Sequence, residues 1–369
     1  MESLGVAVIG TGFMGKCHAM AWTAVKGVFA DVPRPRLELV CDRDEARARA
    51  AADAFGFSRP SPDWLAAMAD PAVDIVSVTA PNEFHAEMAI AALGAGKHVW
   101  CEKPMAVSLE DAGAMRRAAE QSGLKTCVGY NYVHNPAVRH AVRLIRAGTV
   151  GTPVSFRITM DEDFMADGRA PWSDKNAAAS GYGVLDDFGC HALSLATVLV
   201  GDIASVMAVS ARPFAARPGE SGPRAVETAD VAHALITFAD GVIGTLALSR
   251  AAWGHKGRID WEVQGTLGTI AFSQARMNEL RLYEAKGGLE TNGFRTIFTS
   301  PAHPPYGQFC PAPGHGLGFN DLKVIEAAHF LRVIEGREDP IFDFDRAFTV
   351  EAVVHALARS AKLGQPQSV

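Results

Sequence analysis

The sequence predicts an α/β domain on a parallel sheet, followed by an α+β domain on a large, mostly antiparallel open sheet. Short apolar runs alternate with helical stretches over residues 1–128, the pattern of a parallel sheet covered on both faces. After Gly129 strands dominate, joined by short turns such as "FADGVIG" and "QGTLGT" that suggest hairpins. At 369 residues the chain is also too long for one typical core. The expected domains are therefore 1–128 and 129–369.

The elements follow in order. "VAVIG" (6–10) is a strand closed by glycine, and a helix runs from Phe13 to about Lys26. "LELVCD" (37–42) is the second strand and the alanine-rich 44–55 the second helix; Pro62 and Asp63 open a short one. "VDIVSVTA" (73–80), a helix at 83–95, "KHVWC" (97–101), a helix at 108–122 and "KTCVG" (125–129) complete the first domain. "NPAVRHAVRLIRAG" then reads as a crossing helix, with Pro136 near its start and Gly148 past its end. Strands are expected at 153–160, 203–211, 226–239, 242–251, 258–264, 268–273 and 279–283. Helices at 185–200, 319–335 and 345–360 would cover one face of this second sheet. The segments 162–180 and 285–318 are long irregular loops, a length often tied to function.

Composition excludes several classes. With 48% hydrophobic residues the chain is not disordered, and a net charge of −6 gives no bulk attraction to nucleic acid or anionic lipid. The six cysteines are scattered without a C-x-x-C pair, which argues against a disulfide framework or zinc ribbon and suits a reducing cytoplasm. The start, "MESLGVAVIG", lacks the basic region of a signal peptide, and no apolar run approaches the roughly 20 residues of a membrane span.

"GTGFMG" places Gly10, Gly12 and Gly15 in a G-x-G-x-x-G between first strand and helix. The first glycine permits a tight turn, the second lets a pyrophosphate approach, and the third allows close helix–strand packing. With Phe13 and Met14 the loop is a candidate dinucleotide cradle, its anion facing N–H groups at the helix start. The alternative is a plain strand–helix turn. Asp42 ends the second strand, where a Rossmann acid hydrogen-bonds the adenosine ribose; capping of the next helix is the competing role. An apparent insertion, "GVFADVPRPR" (27–36), accounts for the long spacing. Asp42 favours NAD over NADP, although Arg43 beside it suits a 2′-phosphate.

Two further stretches carry charge in informative places. "GKHVWCEKPMAV" ends a buried strand with Glu102, Lys103 and Pro104, and an X-Pro bond there adopts cis at modest cost. Proline also restricts Lys103 itself. In isolation this would read as a surface turn. In "DFGCH", Asp187 and His191 share one helix face at i, i+4. Histidine takes a proton near neutral pH and a carboxylate orients or helps deprotonate a substrate. A helix-terminal acid plus a core histidine is the structural alternative. No third ligand is evident, so no metal site is expected.

The stretches "GVAVIGTGFMGKCHAMA", "VDIVSVTAPNEFHAEMAIAALGAGKHVWCEKPMA" and "GVLDDFGCHALSLATVLVG" together resemble the glucose-fructose oxidoreductase / inositol dehydrogenase / rhizopine catabolism (Gfo/Idh/MocA) family. The likeness is dense from residue 4 to about 200 and returns more loosely in "NDLKVIEAAHFLRVIEG". It implies a nicotinamide cofactor and hydride transfer at a carbinol carbon of a sugar, polyol or cyclitol, in a cleft between the domains. Lys103 would hydrogen-bond the reacting hydroxyl and stabilise developing alkoxide; Glu102 would help orient the nicotinamide side. His191 would be the proton acceptor, and Asp187 would orient the substrate and tune the site. In "TAPNEFH", Thr79, Pro81, Asn82 and His85 fall near the cofactor, though His85 could equally cap or pack. Asn131 and Tyr132, Asp163 and Trp172 of the first long loop, and His315 of the second are candidate substrate contacts. Trp172 could pack on the nicotinamide or only anchor its loop, and His18 reads as structural. The expectation is NAD-dependent oxidation of a neutral pyranose, glycoside, anhydrosugar or inositol, by a homodimer or homotetramer. Two rivals are an NAD-using glycoside hydrolase and a non-catalytic sensor.

Overall fold

The computed structural model describes residues 3–288 and 290–369. They form two compact units, 3–134 with 318–351, and 135–288 and 290–317 with 352–369. This division differs from a single cut at 128/129, because a late segment returns to the first unit.

In the first unit, β1 (Gly5–Ile9), α1 (Phe13–Val28), β2 (Arg36–Cys41), α2 (Glu45–Phe55), β3 (Arg59–Ser61), α3 (Leu65–Ala69), β4 (Ile75–Val78), α4 (His85–Gly94), β5 (His98–Cys101), α5 (Leu109–Ser122) and β6 (Thr126–Val128) follow in order. The strands form one parallel sheet in the order β3-β2-β1-β4-β5-β6. Strand order reverses beside β1, where loops at the carboxyl ends of the strands open a ligand crevice. β1, β4 and most of β5 are buried runs, as a doubly covered sheet requires. Asp44 caps α2 through the Ala46 and Arg47 amides, and Ser108 caps α5 through Asp111.

The second unit starts with α6 (Pro136–Arg146), capped by Asn135 with proline at its first turn. β7 (Pro153–Asp161), α7 (Cys190–Leu199), β8 (Ile203–Ala211), β9 (Ala216–Gly219), β10 (Gly222–Ala225), β11 (Val231–Phe238), β12 (Ile243–Ser249), β13 (Arg258–Gly265), β14 (Gly268–Ser273), β15 (Glu279–Glu284) and β16 (Arg295–Phe298) follow. α8 (Phe319–Ile334) belongs to the first unit and packs on α1. α9 (Phe344–Leu363) and the short β17 (Gln367–Ser368) end the chain. The large sheet runs β16-β15-β14-β13-β7-β12-β11-β8-β17, antiparallel except for the parallel β7–β12 pair. Alternating burial along β12 and β13 gives it one core face and one open face.

Three local expectations shift. The strand expected at 226–239 begins at Val231, because Thr228 and Asp230 are engaged in side-chain bonding to the 162–180 loop and Arg250. β9, β10 and β16 arise in stretches whose glycine, proline and arginine content hid them. The helix expected from 185 opens as a π turn, Leu185–Gly189, before α7; such turns recur at functional sites.

Candidate active site

The three loop glycines have different causes. A Cβ on Gly10, where φ is +97°, would meet the Thr79 carbonyl oxygen at 2.7 Å, and one on Gly15 the Gly10 oxygen at 2.0 Å. Both are demanded by packing within the chain. A Cβ on Gly12 meets nothing within 4 Å. Gly12 precedes α1, whose first turn has no side-chain cap and no acid. Open space beside uncapped N–H groups at a helix start fits a pyrophosphate. Phe13 is exposed, stacked 6.0 Å from Phe319, and Met14 is half-buried. Thr79 ties β4 to this loop, its hydroxyl donating to the Ile9 and Gly10 carbonyls, each at 2.9 Å.

Asp42 stands where a ribose acid should. Its Oδ2 accepts from the Thr11 amide (3.0 Å) and hydroxyl (2.5 Å), and its Oδ1 from the Asp44 amide (3.1 Å). Burial pushes its pKa up, but these donors and Arg47 outweigh burial and lower it. Arg43 is exposed; Arg47, one helical turn further on and overlooked in the sequence, is the cation 3.7 Å from Asp42.

At the end of β5 the Glu102–Lys103–Pro104 turn is held from several sides. The Lys103–Pro104 bond is cis. The Lys103 amide donates to Glu102 Oε2 at 3.2 Å, and the Met105 amide to the buried Glu351 at 2.8 Å. His85 is 1% exposed, with Nδ1 2.8 Å from the Pro104 carbonyl and Nε2 2.9 Å from that of Ala80. Both ring nitrogens thus face main-chain carbonyls, with the single N–H of the neutral ring donating to one of them, so His85 packs against the turn and offers a cofactor no polar atom. Burial lowers its pKa against the pull of those carbonyls. Pro81 is exposed and Asn82 opens the one-turn 3-10 helix before α4.

Beneath that turn lies a charge network that the sequence reading missed. Glu102 Oε1 accepts from His18 Nε2 at 2.9 Å and from Lys323 of α8. Lys323 also lies 2.8 Å from Glu326 Oε2, without the alignment of a hydrogen bond, and His134 Nε2 is 3.8 Å from Glu326 Oε1. Lys323 and Glu326 are fully buried. Burial alone would raise the Glu102 carboxyl, but the Lys323 ammonium and His18 hold it well below the usual range. Glu326 has the weaker share of the same ammonium, and burial takes it up to about 7. His18, stacked 3.8 Å from Trp100, is pushed down to about 4 by burial. The available signal was a lysine and a glutamate three apart inside an apolar helix, "DLKVIEAAHF".

In the second unit, Asp187 lies in the π turn and His191 in the first turn of α7, with His191 7% exposed. Asp187 Oδ2 accepts from Arg250 Nη1 at 2.7 Å, and Lys175 Nζ lies 2.8 and 2.9 Å from its two oxygens. Buried Asp230 holds Arg250 from the other side at 2.8 Å. Neither Lys175 nor Arg250 is marked by local pattern. Asp186 accepts from the Tyr182 amide and so serves the turn.

The remaining candidates are placed as follows. Asn131 is buried and Tyr132 lies edge-on, 6.1 Å from Phe319, in the 3-10 turn 131–134. Trp172 donates to the Ala225 carbonyl at 2.9 Å, its ring covered by the Arg224 guanidinium at 3.1 Å. It thereby anchors the loop to the β9–β10 hairpin, the alternative role named for it. Asp163, expected as a substrate contact, is ion-paired with Lys256, and nearby Asp161 with Arg258. His315 is exposed, while the Tyr306 hydroxyl holds its main chain.

Comparison with known proteins agrees with this fold. The model of an oxidoreductase family with an NAD-binding Rossmann fold matches residues 4–130, and that of the GFO/IDH/MocA C-terminal domain matches 138–271. Levoglucosan dehydrogenase of Pseudarthrobacter phenanthrenivorans is 35% identical, covering 100% of this chain and 99% of its own. The NAD-dependent scyllo-inositol 2-dehydrogenase of Bacillus subtilis is 28% identical over 98% of this chain and 94% of its own. Among solved structures, levoglucosan dehydrogenase in complex with NADH and levoglucosan superposes with a TM-score of 0.95 at 35% identity, covering 100% of both chains.

Proposed function

The chain belongs to the Gfo/Idh/MocA oxidoreductase family, and on that premise we propose that it oxidises a secondary hydroxyl of a neutral cyclic polyol, a pyranose, anhydrosugar or inositol. The Gly12 loop and Asp42 would hold NAD, which would supply the hydride acceptor for the carbinol carbon. The observation that carries the reading is the Lys103 turn, a lysine at the end of a buried strand held by Glu102, His85 and Glu351. A cation carried on a turn whose main chain is fixed in that way is suited to stabilise negative charge on the reacting oxygen. His191 accepts the hydroxyl proton, and Asp187, held by Arg250, orients the substrate. The open side of Gly12 and the ionised Asp42 support a dinucleotide whose ribose 2′-hydroxyl is unmodified, hence NAD.

The substrate class rests on the levoglucosan and inositol chemistry of the relatives. The second unit also bears exposed apolar residues on the open sheet face, which supports a homodimer or homotetramer. The decisive experiment presents sugars, anhydrosugars, inositols and sugar phosphates with NAD or NADP, following reduced cofactor and product together. A neutral ring with NAD should give the highest kcat/KM. A higher value for a phosphorylated or carboxylated sugar, or for NADP, overturns the reading.

A further inference from the structure

Around Asp187 the second unit assembles three cations and two carboxylates. Arg217 and Arg250 are both 1% exposed and flank Asp230, which is fully buried. Arg250 donates to Asp230 Oδ1 at 2.8 Å, and Arg217 lies 3.7 Å from its Oδ2. Arg217 also donates to the Met165 and Asp167 carbonyls at 2.6 and 2.7 Å, so it fastens the 162–180 loop. Lys175 differs from the other two cations: its side chain is 53% exposed, yet its Nζ reaches both Asp187 oxygens. The Thr228 hydroxyl, donating to the Lys175 carbonyl at 2.8 Å, fixes where that side chain starts, and its Nζ lies 5.5 Å from the Phe164 ring.

Arg250 already pairs with Asp187, so Lys175 is the surplus cation of the cluster. A half-exposed ion pair is worth little in water, and it opens readily for a ligand that satisfies both charges. A carboxylate beside an ammonium is complementary to two adjacent hydroxyls, one donating and the next accepting. We propose that Lys175 is a substrate-binding and specificity-determining residue that grips a vicinal diol together with Asp187. Asp187 accepts from one hydroxyl and Lys175 donates to the oxygen of its neighbour, their direct contact opening to admit the pair. The inference rests on the reading of Asp187 as a substrate contact.

The experiment compares wild type, Lys175→Met and Lys175→Arg on the best ring polyol and on its deoxy analogue lacking the hydroxyl next to the oxidised carbon. Binding of each to the NADH-saturated protein is measured by calorimetry alongside the kinetics. Lys175→Met should raise KM and Kd for the polyol about tenfold, as loss of a charged hydrogen bond does, and change kcat far less. Arginine should recover part of the loss. The deoxy analogue should bind wild type about tenfold more weakly than the polyol, and Lys175→Met should add little to that. An unchanged KM with the polyol still oxidised, or equal losses on both ligands, overturns the role of Lys175 and leaves the proposed function standing. If no ring polyol is bound or oxidised, the functional reading fails and this inference falls with it.

Discussion

In the proposed reaction His191 moves the proton and Lys103 holds the charge. Histidine titrates near neutral pH, so His191→Ala should lower kcat severely and abolish the acidic limb of the pH profile. Lys103→Ala should leave NAD affinity within about threefold while lowering kcat by roughly a hundredfold or more, because its interaction strengthens as the alkoxide forms. Calorimetry with NAD and steady-state rates from pH 5 to 10 check both. Wild-type pH dependence in His191→Ala would assign the base to another group. Both residues stand in short motifs, and it is the resemblance of those motifs to the family's that singled them out. Arg250 and Lys175 were not singled out, since they reach Asp187 from positions 63 and 12 residues away.

At the level of elements, the end of β5, α1 and α8 meet in the Glu102–His18–Lys323–Glu326 network. One ammonium between two buried carboxylates favours ionisation of the acid with more donors and leaves the other reluctant. Glu326 therefore ionises at about 7 when folded, against an ordinary value of about 4.3 when unfolded. The folded chain binds this proton more tightly. Stability from Glu326 is full below the unfolded value and is lost as pH rises through the folded one. Glu102 runs the other way: its lowered pKa contributes stability above the ordinary carboxyl range, lost as pH falls below it. Glu326→Gln should thus be near neutral at pH 4 and stabilising by roughly 2 kcal/mol at pH 8, read from urea unfolding at the two values. A variant with the same offset at both would show that Glu326 does not titrate between them. Lys323→Met, which strands two buried acids, should cost about 3–5 kcal/mol at neutral pH.

For the molecule as a whole, the open face of the large sheet is the feature on which the proposed homodimer or homotetramer rests. Met207, Val209, Leu235 and Ile243 are 43, 61, 60 and 63% exposed. They share that face, because Leu235 pairs with Met207, His233 with Val209 and Thr237 with Ile243. A contiguous apolar row on a sheet face marks an association surface. Leu235→Glu should lower the mass seen in sedimentation equilibrium while leaving the fold intact by circular dichroism. An unchanged assembly would place the subunit contact elsewhere.

The sequence by itself determined the architecture and the chemical class. Strand–helix alternation and the glycine loop after β1 are short-range patterns governed by sterics and periodicity, and the equally local Glu102–Lys103–Pro104 and Asp187–His191 motifs took their chemical reading from the family resemblance. Tertiary structure alone decided which unit α8 joins, and that Lys323 charges Glu102 from a position 221 residues away. It also decided that Arg47 faces Asp42 in place of Arg43, and that Asp163 and Trp172 are engaged within their own unit. These outcomes depend on which distant side chain fills a given buried space and satisfies a given charge. No local spacing encodes that, because desolvation and pairing are settled only when the elements have packed.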